Sequence, residues 1–124
     1  LLKSGGKACV QTIVIDDALF DRYVKSTDFI QQYIFPGGCL PCPREFRAHA
    51  ERAGLKVIDE LAFGLDYAET LRRWSHQFMA DKAQVLQLGF DERFIRIWEF
   101  YLAYCEAAFE QHNTDVVQYT LVKP

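Results

Sequence analysis

Cys39 and Cys42 form a Cys-x-x-Cys pair just ahead of Pro43. A redox pair of this kind needs an exposed first cysteine and a helix N-terminus that lowers its pKa, and a helix opening at Pro43 supplies that geometry. A zinc centre needs two further ligands at suitable spacing. His49 is available, but there is no second Cys-x-x-Cys. Two incidental loop cysteines are the stronger reading, with free thiols and no metal. His49, His76 and His112 are far apart and fall on polar helix faces or in a turn, which reads as surface histidine. Tyr67 differs from these. It falls beside a helix start just past the C-terminal end of a strand, where open α/β sheets place their ligands. Backbone N–H groups at such a helix start also favour an anion. The plainer reading is an aromatic packed at a helix start. Arg44, Arg47, Arg72 and Arg73 suit anionic phospholipid head groups or, equally, a solvated helix face. The chain has no glycine-rich phosphate loop, no serine nucleophile elbow and no His-Glu zinc motif.

The elements that must position these residues turn on the stretch Tyr33-Ile34-Phe35-Pro36-Gly37-Gly38-Cys39-Leu40-Pro41-Cys42-Pro43. Pro36 ends one helix, Gly37 and Gly38 permit a reversal, and Pro43 suits the first position of the next helix. Such a loop suits the mouth of a pocket. Before it, residues 8–15 predict a strand buried on both faces. Cys9 in that strand and Cys105 in an apolar helix read as small buried residues of a reducing compartment. Residues 17–34 predict a helix broken near Ser26-Thr27-Asp28, with Asp28 capping the second piece.

After the loop, residues 43–53 predict a helix with Phe46 and Ala50 inward and Gly54 as its stop. Residues 55–63 predict a strand. Asp66-Tyr67-Ala68-Glu69 reads as a capping box opening a long helix whose buried face carries Leu71, Trp74, Phe78 and Val85, and which Gly89 ends. Asp91 caps the next helix, where Phe94, Ile97, Trp98, Tyr101, Leu102, Cys105 and Phe109 recur at spacings of three and four. That stripe is a core face or the apolar wall of a lipid-chain channel. Residues 115–122 predict a last strand. Helix–strand alternation makes this an α/β sheet flanked by helices.

The 124 residues suffice for one small domain, residues 1–124, and a hydrophobic share of 50% argues against disorder. Aromatics at 15% call for a bulky core, a flat apolar surface, or both. A net charge of −3 disfavours broad nucleic-acid binding. No apolar run approaches the ~20 residues of a membrane-crossing helix. The opening Leu1-Leu2-Lys3-Ser4-Gly5-Gly6-Lys7 reads as a helix end and turn, the downstream part of a longer protein.

Four segments carry a resemblance. Asp28 to Pro41, with Ile34-Phe35-Pro36-Gly37-Gly38-Cys39-Leu40-Pro41 at its end, resembles the Ile-Phe-Pro-Gly-Gly-x-Leu-Pro segment of the cyclopropane-fatty-acyl-phospholipid synthase family, which includes the mycolic-acid cyclopropane synthases. Tyr67-Ala68-Glu69-Thr70-Leu71 is similar to that family's Tyr-x-x-Thr-Leu helix start. Tyr101-Leu102-Ala103-Tyr104-Cys105-Glu106-Ala107-Ala108-Phe109 resembles its Tyr-Leu-x-x-Cys-x-x-x-Phe helix, and Gln118-Tyr119-Thr120-Leu121 its closing strand. The segments occur in family order over essentially the whole chain.

The resemblance implies the C-terminal, acceptor-side half of a class I (Rossmann-like) S-adenosylmethionine-dependent methyltransferase fold. Its three strands form a mixed sheet with the last strand antiparallel between the other two, flanked by helices. The implied chemistry adds a sulfonium methyl to a cis double bond of a phospholipid acyl chain, with bicarbonate as the proton acceptor. Tyr67 matches the family's bicarbonate-binding tyrosine, and Ile13 the isoleucine whose backbone contributes. Gln11 falls where many members carry a bicarbonate-binding His. A glutamine amide donates a hydrogen bond but takes up no proton, which leaves open whether the product is cyclopropane or a methylated chain. Phe35, Gly37, Gly38, Leu40, Cys105 and Phe109 fall on the acyl-chain side.

The family's glycine-rich cofactor loop, catalytic Cys and Glu would precede Leu1, so no cofactor-binding residue is expected in the chain. The implied setting is cytoplasmic and peripheral to a membrane. With its first strand lacking an upstream neighbour, the isolated chain is expected to form a homo-oligomer. The alternative is a non-catalytic α/β module of the same shape that binds lipid or a protein.

Overall fold

The computed structural model describes residues 1–124. In chain order the elements are β1 (Lys7–Ile15), α1 (Asp17–Tyr23), α2 (Phe29–Tyr33), α3 (Pro43–Arg52), β2 (Lys56–Ala62), α4 (Gly64–Ala80), α5 (Lys82–Gln87), α6 (Glu92–Glu110) and β3 (Thr114–Val122). The sheet order is β1-β3-β2. Both ladders are antiparallel, so β1 and β2 run the same way on either side of a reversed β3. The reversed last strand between the other two is the arrangement the resemblance implies.

Local signals set most element ends. The Asp28 carboxylate accepts from Gln31 N at 2.8 Å while the Gln31 side chain accepts from Asp28 N at 3.0 Å, a full capping box on α2. Asp91 accepts from Phe94 N at 2.8 Å at the start of α6. Pro43 opens α3, and Gly54 follows that helix with φ +73°.

Each face of the sheet buries its own cluster. On one face Val14, Val117 and Tyr119 pack under α3, with the Phe46 ring stacked on Tyr119 at 4.0 Å. On the other, Ala68 and Leu71 of α4 and Leu102 and Phe109 of α6 close over Val116, with Ile13 beside them. A third cluster of Ile15, Tyr23 and Cys42 seals the end of β1 under α1.

Four expectations are corrected. The first half of β1 is not buried on both faces: Cys9, Val10 and Gln11 are exposed. β1 is an edge strand pairing only with β3, and the apolar clusters reach it only from Ile13 onward. The long helix is two, broken at Asp81, and Trp74 is 51% exposed on the flank of α4, edge-on to Tyr67.

Nor does Asp66 cap α4. The helix starts at Gly64, and the cap comes from across the sheet. The Asp115 carboxylate accepts from Gly64 N at 2.7 Å and from Val116 N at 2.8 Å. Glycine is needed there because a Cβ would sit 2.5 Å from that Asp115 oxygen and 3.3 Å from the Asp115 Cα. Gly64→Ala is therefore expected to destabilise the fold by about 1–3 kcal/mol, the usual cost of overpacking. An unchanged urea midpoint would show that the carboxylate yields freely.

Candidate active site

The loop between α2 and α3 is tied down at several points. Gly37 turns it with φ +78°, and Gly38 N bonds back to Phe35 O at 2.9 Å. The Gln31 amide holds Gly38 O at 2.9 Å. Leu40 N donates to the Tyr23 hydroxyl at 2.9 Å, and Ile15 N to Pro41 O at 3.0 Å. The loop thus closes over a cavity of about 690 Å³ bounded by the end of β1, by α1 and α2, and by the second half of α6. The interior is mostly apolar, and its polar groups include Arg22, Asp28, Gln31, Gln111 and Asn113.

Phe35, Gly38 and Leu40 from the loop, Cys105 and Phe109 from α6, and Ile13 from β1 all line this cavity. Gly37 is exposed and lies outside the wall; its place is the turn. Tyr67 is half-buried and sits against Phe109, ring centroids 5.2 Å apart and nearly perpendicular. It joins Ile13 around the same core cluster. Gln11 stands two residues before Ile13 on the exposed part of β1, where its Oε1 accepts from Gln118 Nε2 at 2.9 Å. The Ile13 carbonyl accepts from Thr12 Oγ1 at 3.0 Å. The fold therefore gathers Ile13, Tyr67, Cys105 and Phe109, and leaves Gln11 further along the strand.

Tyr23, Tyr101 and Tyr104 also line the cavity, and residue-by-residue comparison did not single them out. For Tyr101 the signal was present, one turn before Cys105 in the apolar stripe. That stripe is both core and wall. Leu102 and Phe109 are buried in the core, while Tyr101, Cys105 and Phe109 face the cavity. Its rings form a continuous band, with Phe90–Phe94 at 4.5 Å, Phe94–Trp98 at 5.8 Å, Trp98–Tyr101 at 4.9 Å and Tyr101–Phe35 at 6.4 Å.

Burial keeps the deep groups neutral. It pushes the Tyr101 hydroxyl up to about 12 and the Cys105 thiol up to about 11, and it raises Tyr67 and Tyr104 as well. The wall presents hydroxyl and thiol donors with no thiolate nucleophile.

In the Cys39-x-x-Cys42 pair the start of α3 falls at Cys42 rather than at Cys39. Cys39 is exposed and Cys42 fully buried at the N-cap of α3, where burial raises its pKa beside the Asp17 carboxylate. All four thiols are free, and no three His, Cys, Asp or Glu side chains converge to hold a metal ion. His49, His76 and His112 are all exposed.

A helix-flanked sheet with its last strand reversed in the centre is the methyltransferase fold, and comparison with known proteins gives the family. Residues 1–119 match the family model for mycolic acid cyclopropane synthetase, and the chain belongs to that family. It is 39% identical over 124 residues to tuberculostearic acid methyltransferase UfaA1 of Mycobacterium tuberculosis, covering 99% of this chain and 29% of that protein. It is 34% identical over 90 residues to the cyclopropane-fatty-acyl-phospholipid synthase of Escherichia coli, covering 73% of this chain and 23% of that protein. The crystal structure of mycolic acid cyclopropane synthase CmaA1 complexed with SAH and CTAB superposes with a TM-score of 0.86 at 29% identity, over 98% of this chain and 46% of that one. The chain thus spans less than half the length of each of these relatives.

Proposed function

We propose that this chain is the acceptor-side part of an S-adenosylmethionine-dependent methyltransferase acting on unsaturated phospholipid acyl chains, of the cyclopropane-fatty-acyl-phospholipid synthase kind. One observation carries the proposal: a cavity of about 690 Å³, mostly apolar, is walled by Ile13, Phe35, Gly38, Leu40, Cys105 and Phe109, with the Tyr67 hydroxyl group's ring packed directly on Phe109. An acyl chain needs a long, predominantly apolar wall, and burial keeps the Tyr101 and Cys105 groups within it neutral. The phospholipid substrate is supported by the name of the Escherichia coli relative, and S-adenosylmethionine by the CmaA1 complex with SAH.

The residues of this chain do not fit the cofactor. A class I site needs a strand, a glycine-rich turn and a helix whose N-terminus is open to the ligand. The one glycine standing between a strand and the following helix is Gly64, and Asp115 fills the space above it. The isolated chain is therefore expected to show no measurable S-adenosylmethionine affinity in calorimetric titration. Micromolar binding would mean that a cofactor site is present within these residues.

Bicarbonate fits better. The Asp115 carboxylate already occupies the N-terminus of α4, so the helix start is not the anion's anchor, contrary to expectation. Tyr67 and, further along β1, Gln11 offer side-chain donors. Burial holds the Tyr67 hydroxyl in its neutral donor form. Because Gln11 accepts from Gln118 through Oε1, its amide N–H groups stay free to donate. When bound, bicarbonate would supply the base that takes a proton from the reacting acyl chain. Tyr67, Gln11 and the Ile13 backbone would hold it in place, while Phe109 and the α2–α3 loop exclude water.

The same proposal has the protein meet phospholipid peripherally, from the cytoplasmic side. No helix is long and apolar enough to cross a membrane. Phe35 and Tyr33, 56% and 52% exposed, stand on the loop side of the cavity as contacts for the lipid surface. The outer edge of β1 has no strand partner, and unpaired edges promote association. The isolated chain is accordingly expected to run as a dimer or larger species; a monomer by light scattering at high concentration would count against this.

Titration with a fluorescent monounsaturated acyl probe tests the cavity itself. Saturable binding, displaced by oleate and lost on filling the cavity with Ala108→Trp, is expected. Binding that survives Ala108→Trp would place the acyl chain elsewhere.

A further inference from the structure

A second cavity, of about 260 Å³, lies on the opposite, α3-covered face of the sheet, where β1 and β2 end and β3 begins. Nothing in the acyl-chain chemistry uses it. Its back wall is Tyr119, which is 0% exposed and whose hydroxyl has no hydrogen-bond partner. The Thr114 hydroxyl, where the two cavities adjoin, is also buried without a partner. Buried polar groups are nearly always paired, and a hydroxyl left without a partner carries its full desolvation penalty. At the entrance His112 holds a left-handed backbone, φ +57°. That conformation ends α6: His112 N bonds to Phe109 O at 3.1 Å and Asn113 N to Ala108 O at 2.9 Å.

The charges around this cavity select the ligand. Arg47 and Glu60 are spent on each other through two contacts of 2.6 Å, so no free cation faces inward. Asp16 uses Oδ1 to accept from Ala18 N, and Asp115 uses Oδ1 to accept from Gly64 N and Val116 N. The second carboxylate oxygen of each is uncommitted. The cavity therefore offers two carboxylate oxygens and two hydroxyls, all able to accept, around a net negative charge. An anion is repelled, and no set of three His, Cys, Asp or Glu side chains suits a metal ion.

We infer that this cavity binds a small organic cation carrying N–H donors, a primary ammonium or guanidinium ion, between Asp16, Asp115, Thr114 and Tyr119. The inference shares only Thr114 with the acyl-chain cavity and otherwise uses residues on the other face of the sheet.

The test is an NMR titration of the isotope-labelled chain with ethylammonium and with methylguanidinium at constant ionic strength. Tetramethylammonium serves as a cation of equal charge without N–H donors. The expected result is saturable shifts of the Thr114, Asp115 and Tyr119 amides at millimolar ethylammonium or methylguanidinium, with no saturation by tetramethylammonium. Tyr119→Phe, which removes only the unpartnered hydroxyl, is expected to weaken binding about tenfold, the worth of one hydrogen bond to a charged group. Thr114→Val serves in its place if Tyr119→Phe does not fold. Shifts that rise linearly, that tetramethylammonium reproduces, or that the hydroxyl-deleted variant retains undiminished would overturn the inference, leaving a cavity that holds only water.

Discussion

Replacing Tyr67 with phenylalanine is expected to lower turnover of the complete enzyme by about a hundred- to a thousandfold, the cost of losing one donor from a preorganised anion site. Folding is expected to be almost unaffected. The ring keeps its contacts with Phe109 at 5.2 Å and Trp74 at 5.9 Å, and only burial and the nearby Cys105 thiol act on the hydroxyl's ionisation. A structural role for Tyr67 therefore predicts the opposite pattern, normal turnover with or without a small shift in the melt. Gln11→His adds a donor that can also take up a proton, and activity should be preserved or raised. If Tyr67→Phe retains full turnover and its dependence on added bicarbonate, Tyr67 is only a packed aromatic.

Phe109→Ala is expected to cost about 3–5 kcal/mol of stability, read from the urea midpoint, as is usual for truncating a buried phenylalanine. Phe109 is 2% exposed and belongs to the cluster joining α4, α6 and β3. Against a typical total of about 5–15 kcal/mol, that loss leaves a marginal fold. Phe100 lies on the same helix but is 52% exposed, with its ring edge-on to Phe29 at 4.7 Å. Phe100→Ala should cost less than about 1 kcal/mol. Equal shifts for the two variants would mean that α6 packs by a different face, and the proposed acyl-chain cavity would lose its wall with it.

What could be read from the residues alone follows the range of the interactions. The caps at Asp28 and Asp91 and the start at Pro43 depend on partners within three residues, and each stands where expected. The true cap of α4 is 51 residues away, in Asp115. Asp66-Tyr67-Ala68-Glu69 looked like a local cap, and no pattern along the chain could reveal the distant one. β1 misled for a related reason. An apolar β-branched run reads as doubly covered, but exposure of Cys9 and Gln11 depends on which helices reach over them.

The cavity was more legible than the proposed anion site. Phe35, Gly38, Leu40, Cys105 and Phe109 lie in contiguous motifs and line the cavity together. Gln11 owes its free amide to Gln118, 107 residues on. Tyr101 already stood in the apolar stripe, whereas Tyr104, outside it, became visible only once α6 was packed beside the loop.

The most direct measurement is mass spectrometry of the acyl chains after the complete enzyme acts on unsaturated phospholipid vesicles with isotopically labelled S-adenosylmethionine. The expected result is a labelled one-carbon addition at the double bond, dependent on bicarbonate and absent with the 124-residue chain alone. Acyl chains left unlabelled by the complete enzyme would contradict the proposed function and favour a non-catalytic lipid-binding module.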